Sequence, residues 1–84
     1  MRIAIIAIFV EDKKYIHKVN DILHYYGKYV IGRMGLPNVE KDLNIITLVV
    51  KASQEEISAL SGKLGNLDGV ISKVTYASKK WVFR

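Results

Sequence analysis

The chain contains no cysteine, a single proline, a single tryptophan and no apolar run longer than Ile3 to Val10. Without cysteine there is no disulfide framework, no thiolate metal site and no cysteine nucleophile, so stability rests on an apolar core; the usage fits a cytoplasmic protein. The apolar run falls well short of the ~20 residues that cross a bilayer, and no signal-peptide cleavage pattern follows it. Export and membrane insertion are therefore not expected. Glycine is missing where a phosphate-cradling loop would need it: Glu11-Asp12-Lys13-Lys14 follows the first apolar run. Acidic residues are in the minority, 8 against 13 Lys and Arg, for a net charge of +5. Part of that excess sits in Lys79, Lys80 and Arg84, and the remaining basic residues are scattered singly, as on a solvated surface.

What is present is apolar periodicity over 84 residues, enough for one small domain. Ile3 to Val10 is apolar at every position and reads as a strand buried on both faces. Tyr15, Ile16, Val19, Ile22, Leu23 and Tyr26 then recur at helical spacing, predicting a helix over Lys13 to Tyr26 that Asp12 can cap and Gly27 can close. Tyr29 to Leu36, with Tyr29, Ile31 and Arg33 on one face and Val30 and Met34 on the other, suits an edge strand that Pro37 stops. A turn from Pro37 to Asp42 leads to a second two-faced strand, Leu43 to Lys51. Ser53-Gln54-Glu55-Glu56 is a capping box introducing a helix with Ile57, Leu60 and Leu64 on its apolar face. Gly69 to Ala77 alternates as a half-buried strand, and Ser78 to Arg84 forms a basic and aromatic tail. The expected units are a domain over residues 1–77 and a tail over 78–84.

The order strand, helix, strand, strand, helix, strand is that of an α+β, ferredoxin-like βαββαβ sandwich: a four-stranded antiparallel sheet with two helices on one face. In that topology the first and third strands are central, and these are the two that are apolar on both faces. The helices cover one face only, so the other must meet something else, and a second copy of the chain is the simplest covering.

Ferredoxin-like domains host unrelated functions, so each needs its own residues. Leu43 to Val50 has no aromatic residue for base stacking, which speaks against RNA recognition. His17, Asp21 and His24 share one stripe of the first helix, but Lys14 and Lys18 lie beside them and no fourth ligand is identifiable; no metal or cofactor is expected. Gly32, Arg33, Met34 and Gly35 are the candidate effector-binding or interface residues. The glycines would admit a ligand or a partner backbone and the guanidinium would bind carboxylate or phosphate, or else they form a bulge at a dimer seam. Ser58, Ser61, Gly62 and Gly65 give the second helix a small-residue surface that close helix packing explains as well as ligand access does. Tyr76 and Trp81, with lysines between them, suit docking on a neighbour better than nucleic-acid stacking.

Ile31-Gly32-Arg33-Met34-Gly35-Leu36-Pro37, Ile57-Ser58-Ala59-Leu60-Ser61-Gly62-Lys63-Leu64-Gly65 and Leu67-Asp68-Gly69-Val70 closely resemble the iron-only hydrogenase system regulators, over roughly residues 3–76. The resemblance implies a stand-alone ACT-like domain with an oligomeric, ligand-sensing or regulatory role, and it supplies no catalytic residue. The expectation is a non-enzymatic regulator, transcriptional or metabolic, that forms a homodimer or larger homo-oligomer. It would bind a small-molecule effector or a protein partner at a subunit interface. Direct nucleic-acid binding is not expected, because no helix-turn-helix precedes the domain. The alternative is a cofactor-free enzyme of the dimeric α+β-barrel type, whose paired sheets enclose a cavity; Asn44, Thr47 and Arg33 are the sheet residues with polar chemistry for it.

Overall fold

The computed structural model describes residues 1–78 and 80. Trp81, and with it the expectation of a docking aromatic tail, lies outside the described residues, as do Lys79 and Arg84. The elements are β1 (Arg2–Val10), a 3-10 turn (Lys13–Tyr15), α1 (Ile16–Tyr25), a second 3-10 turn (Gly27–Tyr29), β2 (Val30–Glu40), β3 (Leu43–Ala52), α2 (Gln54–Gly65) and β4 (Val70–Tyr76). The strands form one antiparallel sheet in the order β2-β3-β1-β4, so β1 and β3 are central, as their two-faced apolar pattern predicts.

Cross-strand partners share a face. On the helix-covered face Ile6 lies between Leu48 and Val74, and Ala4 between Val50 and Tyr76. Ile57, Leu60 and Leu64 of α2, with Val19 and Leu23 of α1, bury against this layer. Each fully buried isoleucine or leucine stabilises the fold by about 1.5–3 kcal/mol relative to exposure. The capping box is present at the start of α2: Glu56 N–H donates to Ser53 Oγ and Ser53 N–H to Glu56 Oε1, each at 3.1 Å.

The opposite face is bare. Ile5 sits between Val49 and Thr75, Ala7 between Thr47 and Lys73, and Phe9 between Ile45 and Ile71. Ile5 remains 48% exposed and Met34, on β2, 55%. No helix among the described residues is long and apolar enough to cross a membrane.

Three local expectations are corrected. The first helix opens as a 3-10 turn before its α segment, with Asp12 Oδ1 accepting the Lys14 N–H at 3.1 Å. Pro37 does not end β2. That strand lies at the sheet edge, where a missing N–H leaves no partner unpaired, and its pairing with β3 jumps from Leu36 opposite Ile45 to Glu40 opposite Leu43, so that Pro37 to Val39 bulge outward. The turn shrinks to Lys41 and Asp42. Finally, the alternation along β2 inverts. A bulge at Ile31 separates the Val30–Val50 pair from the Gly32–Val49 pair, so Arg33 falls on the same face as Val30, and Met34 on the other.

Candidate functional site

The bulge at Ile31 decides what the Gly32 to Gly35 segment presents. Arg33 stands opposite Leu48, whose side chain is buried beneath the helices, and so it faces α1; Met34 stands opposite Thr47 on the bare face. The Arg33 guanidinium donates from Nη2 to Asn20 Oδ1 of α1 at 3.2 Å. No carboxylate pairs with it among the described residues. The ion pairs Lys13–Asp42, at 3.8 Å, and Lys14–Asp12, at 3.7 Å, belong to the neighbouring hairpin tip and the start of the first helical turn.

Between α1 and the far end of the β2–β3 hairpin lies a groove of about 230 Å³. Ile16, Pro37 and Ile46 supply its apolar walls; Arg33, Asn20 and Asn44 supply its polar groups. Asn44 is already committed, since its Oδ1 accepts the Asn38 N–H at 3.1 Å and its Nδ2 donates to the Asp42 carbonyl at 3.3 Å. Those two bonds hold the hairpin end, where Asn38 and Asp42 both have φ of 52°. The donors left to meet a ligand are therefore the remaining guanidinium N–H groups and the Asn20 amide, and the Arg33 cation is the one charge among the lining side chains.

A side chain at Gly32 would lie 3.7 Å from Val49, an ordinary contact, and one at Gly35 would meet nothing within 4 Å. Packing inside the chain thus requires neither glycine. The same holds on α2, where Gly62 and Gly65 have open space around them, so the close packing expected of this small-residue surface does not occur within the chain. Only Ser61 of that set reaches another element, its Oγ lying 2.9 Å from Ser72 Oγ. His17, Asp21 and His24 are exposed on α1, and the described residues contain no set of three His, Asp or Glu side chains placed to hold a metal ion.

Two features carry no clear sequence signal. Gly69 has φ of +72°, and a Cβ there would fall 2.9 Å from Asp12 Cβ. Tyr25, Tyr26, Lys28, Tyr29 and Glu56 line a second cavity in which the Tyr29 hydroxyl donates to Glu56. That hydrogen bond, followed by partial desolvation, raises the Tyr29 pKa above its usual value. The same bond, together with those from Ser53, holds the Glu56 carboxyl below its usual range. Helical spacing brings the tyrosines together, but Glu56 comes from the other helix and reads in sequence only as a cap.

The topology and the groove define a small ferredoxin-like domain with a donor-rich cleft at its edge strand. The chain belongs to the TM1266-like family, whose inferred role is iron-only hydrogenase system regulator, matched over residues 2–74. It is similar to the uncharacterized protein TM1266 from Thermotoga maritima, with 40% identity, a TM-score of 0.86, and coverage of 92% of this chain and 98% of that one. It is also similar to CPII, a nitrogen regulatory PII-like protein from Thiomonas intermedia K12 whose structure holds ADP, AMP and bicarbonate. There the identity is 17%, the TM-score 0.59, and the coverage 95% of this chain and 94% of that one. At that identity the likeness is one of fold. No curated protein matches the chain.

Proposed function

We propose that this chain is a non-enzymatic regulatory module that assembles with further copies of itself and binds a small effector, or a protein partner, at Gly32 to Gly35, on the edge strand that borders the subunit seam. Membership of a family with an inferred regulatory role supports the general class. The observation that carries the reading is the division of the edge strand: Arg33 serves the groove while Met34, with Leu36, extends the bare apolar face of Ile5, Phe9, Ile45, Val49 and Ile71. A contiguous uncovered face of this kind marks an interaction surface. The alternative, a cofactor-free enzyme with a cavity between paired sheets, needs polar groups on the bare face. Of its three sheet candidates only Thr47 is there, with Lys73 towards the far edge, whereas Arg33 and Asn44 lie on the helix side.

Sedimentation velocity across the micromolar range tests assembly. The wild-type chain is expected as a dimer or larger, and Ile5→Lys, which places a charge at the centre of the bare face, as a monomer with an unchanged far-ultraviolet spectrum. A wild-type chain that remains monomeric throughout would refute the reading.

A further inference from the structure

The chemistry of the Arg33 groove narrows its occupant, resting on the reading that a ligand is held beside Gly32 to Gly35. We infer that the groove takes a small monoanion, a carboxylate carried on a short branched aliphatic body, in preference to the amine or the amino acid of the same shape. Three observations lead there. The charge is one-sided: the Arg33 guanidinium, the one charged side chain among the lining residues, offers five N–H groups, of which the bond to Asn20 Oδ1 uses one, and the Asn20 amide offers a donor of its own. A carboxylate matches the planar fork of the guanidinium in both charge and geometry.

Nothing among the lining side chains would neutralise an ammonium. The nearby carboxylates of Asp42 and Asp12 are each paired with a lysine, and the amide oxygens of Asn20 and Asn44, which already accept from Arg33 and from the Asn38 N–H, carry no charge to offset one. A zwitterion would bring its ammonium beside the Arg33 cation with no carboxylate in the lining to offset it, which costs binding. The remaining surface is aliphatic, from Ile16, Pro37 and Ile46, and about 230 Å³ is less than the ~300–1,000 Å³ of pockets for drug-sized ligands. One cation against aliphatic walls suits a single negative charge with an apolar body better than a bare dianion.

The test titrates the full chain with isovalerate, isoamylamine, leucine and inorganic phosphate, followed by amide and guanidinium nuclear magnetic resonance shifts. Isovalerate is expected to move the Gly35 amide, the Asn20 side-chain amide and the Arg33 Nε–H, to bind more tightly than leucine or phosphate, and isoamylamine to leave all three unmoved. Arg33→Ala should weaken isovalerate binding at least about tenfold, and Arg33→Lys, which keeps the charge and loses the fork, should weaken it less. Equal binding of phosphate, tighter binding of leucine, shifts confined to other residues, absence of isovalerate binding, or an unaffected Arg33→Ala would each overturn the inference. Sedimentation of the same samples separates the two readings: assembly without isovalerate binding removes the ligand class alone, and isovalerate binding by a persistent monomer removes the seam.

Discussion

Replacing Gly69 and Gly62 separately by alanine should give opposite results, although both positions are glycines with exposed surroundings. At Gly69 an alanine has to adopt φ near +72°, a left-handed conformation that costs an L-residue about 1–2 kcal/mol. Its Cβ would also lie 2.9 Å from Asp12 Cβ. That neighbour cannot swing aside as the end of a long side chain would, because Asp12 Oδ1 caps the following 3-10 turn through Lys14 N–H and the Glu11 N–H donates to the Gly69 carbonyl at 2.6 Å. Forcing such a contact apart costs a further ~1–3 kcal/mol. The sum, about 2–5 kcal/mol, is a large share of the roughly 5–15 kcal/mol that holds a domain folded. It should lower Tm by about 10 °C or more for a chain of this size. Gly62 lies within α2, and its Cβ would meet nothing within 4 Å, so alanine there should stabilise by ~0.8–1.0 kcal/mol and raise Tm by several degrees. Urea and thermal unfolding monitored by circular dichroism measure both. A Gly69→Ala chain within about 0.5 kcal/mol of wild type, or a Gly62→Ala chain that is destabilised, would refute the reasoning.

Two further outcomes follow from single hydrogen-bonded groups. Glu56→Gln retains a residue able to complete the capping box but abolishes the charge that the Tyr29 and Ser53 bonds stabilise. Because the folded-state pKa of Glu56 is depressed, its contribution is present above the unfolded value of about 4.3 and lost as pH falls through the folded one. The stability advantage of wild type over Glu56→Gln, read from urea melts at successive pH values, should therefore be constant near neutrality and shrink below about pH 4.3; a constant advantage down to about pH 3 would contradict this. Asn44→Ala removes the bonds to Asn38 N–H and the Asp42 carbonyl, worth about 0.5–1.5 kcal/mol each, and should accelerate hydrogen exchange at the Asn38 amide while leaving the central strands protected.

Element order and the central placement of β1 and β3 were legible because apolar periodicity reports burial directly: Ile3 to Val10 and Leu43 to Val50 are apolar on both faces, and in this topology only central strands need to be. The capping box was legible because Ser53 and Glu56 satisfy each other locally. Alternation along β2 was not, since one extra residue at Ile31 exchanges the faces of everything after it, and a bulge at a sheet edge leaves no apolar signature. Pro37 misleads for a related reason: an edge position tolerates what a central strand would reject. Asp68-Gly69 marks a turn locally, but the close approach of Asp12 to Gly69, far away in sequence, is encoded by no local pattern. Two glycines in four residues make Gly32 to Gly35 unusual for a strand, but the partner of Arg33, Asn20, emerges only when α1 is laid across the sheet.

The inversion at Ile31 has a consequence for how a regulator of this architecture would work. Had the alternation run unbroken, Arg33 would project from the bare face, and a ligand bound to it would compete directly with a second subunit. With the bulge, Arg33 turns towards α1 and Met34 towards the bare face, so groove and bare face occupy opposite sides of one strand. A ligand that draws Arg33 against Asn20 therefore restrains β2 without covering the surface that a partner copy needs. The segment is bounded by irregular pairing at both ends, at Ile31 and at Pro37 to Val39, and is tied to the rest of the sheet only through β3. It is the part of the sheet best placed to shift as a unit. Any such coupling must be reciprocal, with assembly tightening the ligand by the same factor that the ligand tightens assembly. The open space around Gly35 fits that arrangement: within the chain nothing demands a glycine there, and a bare backbone beside Arg33 leaves room for what binds.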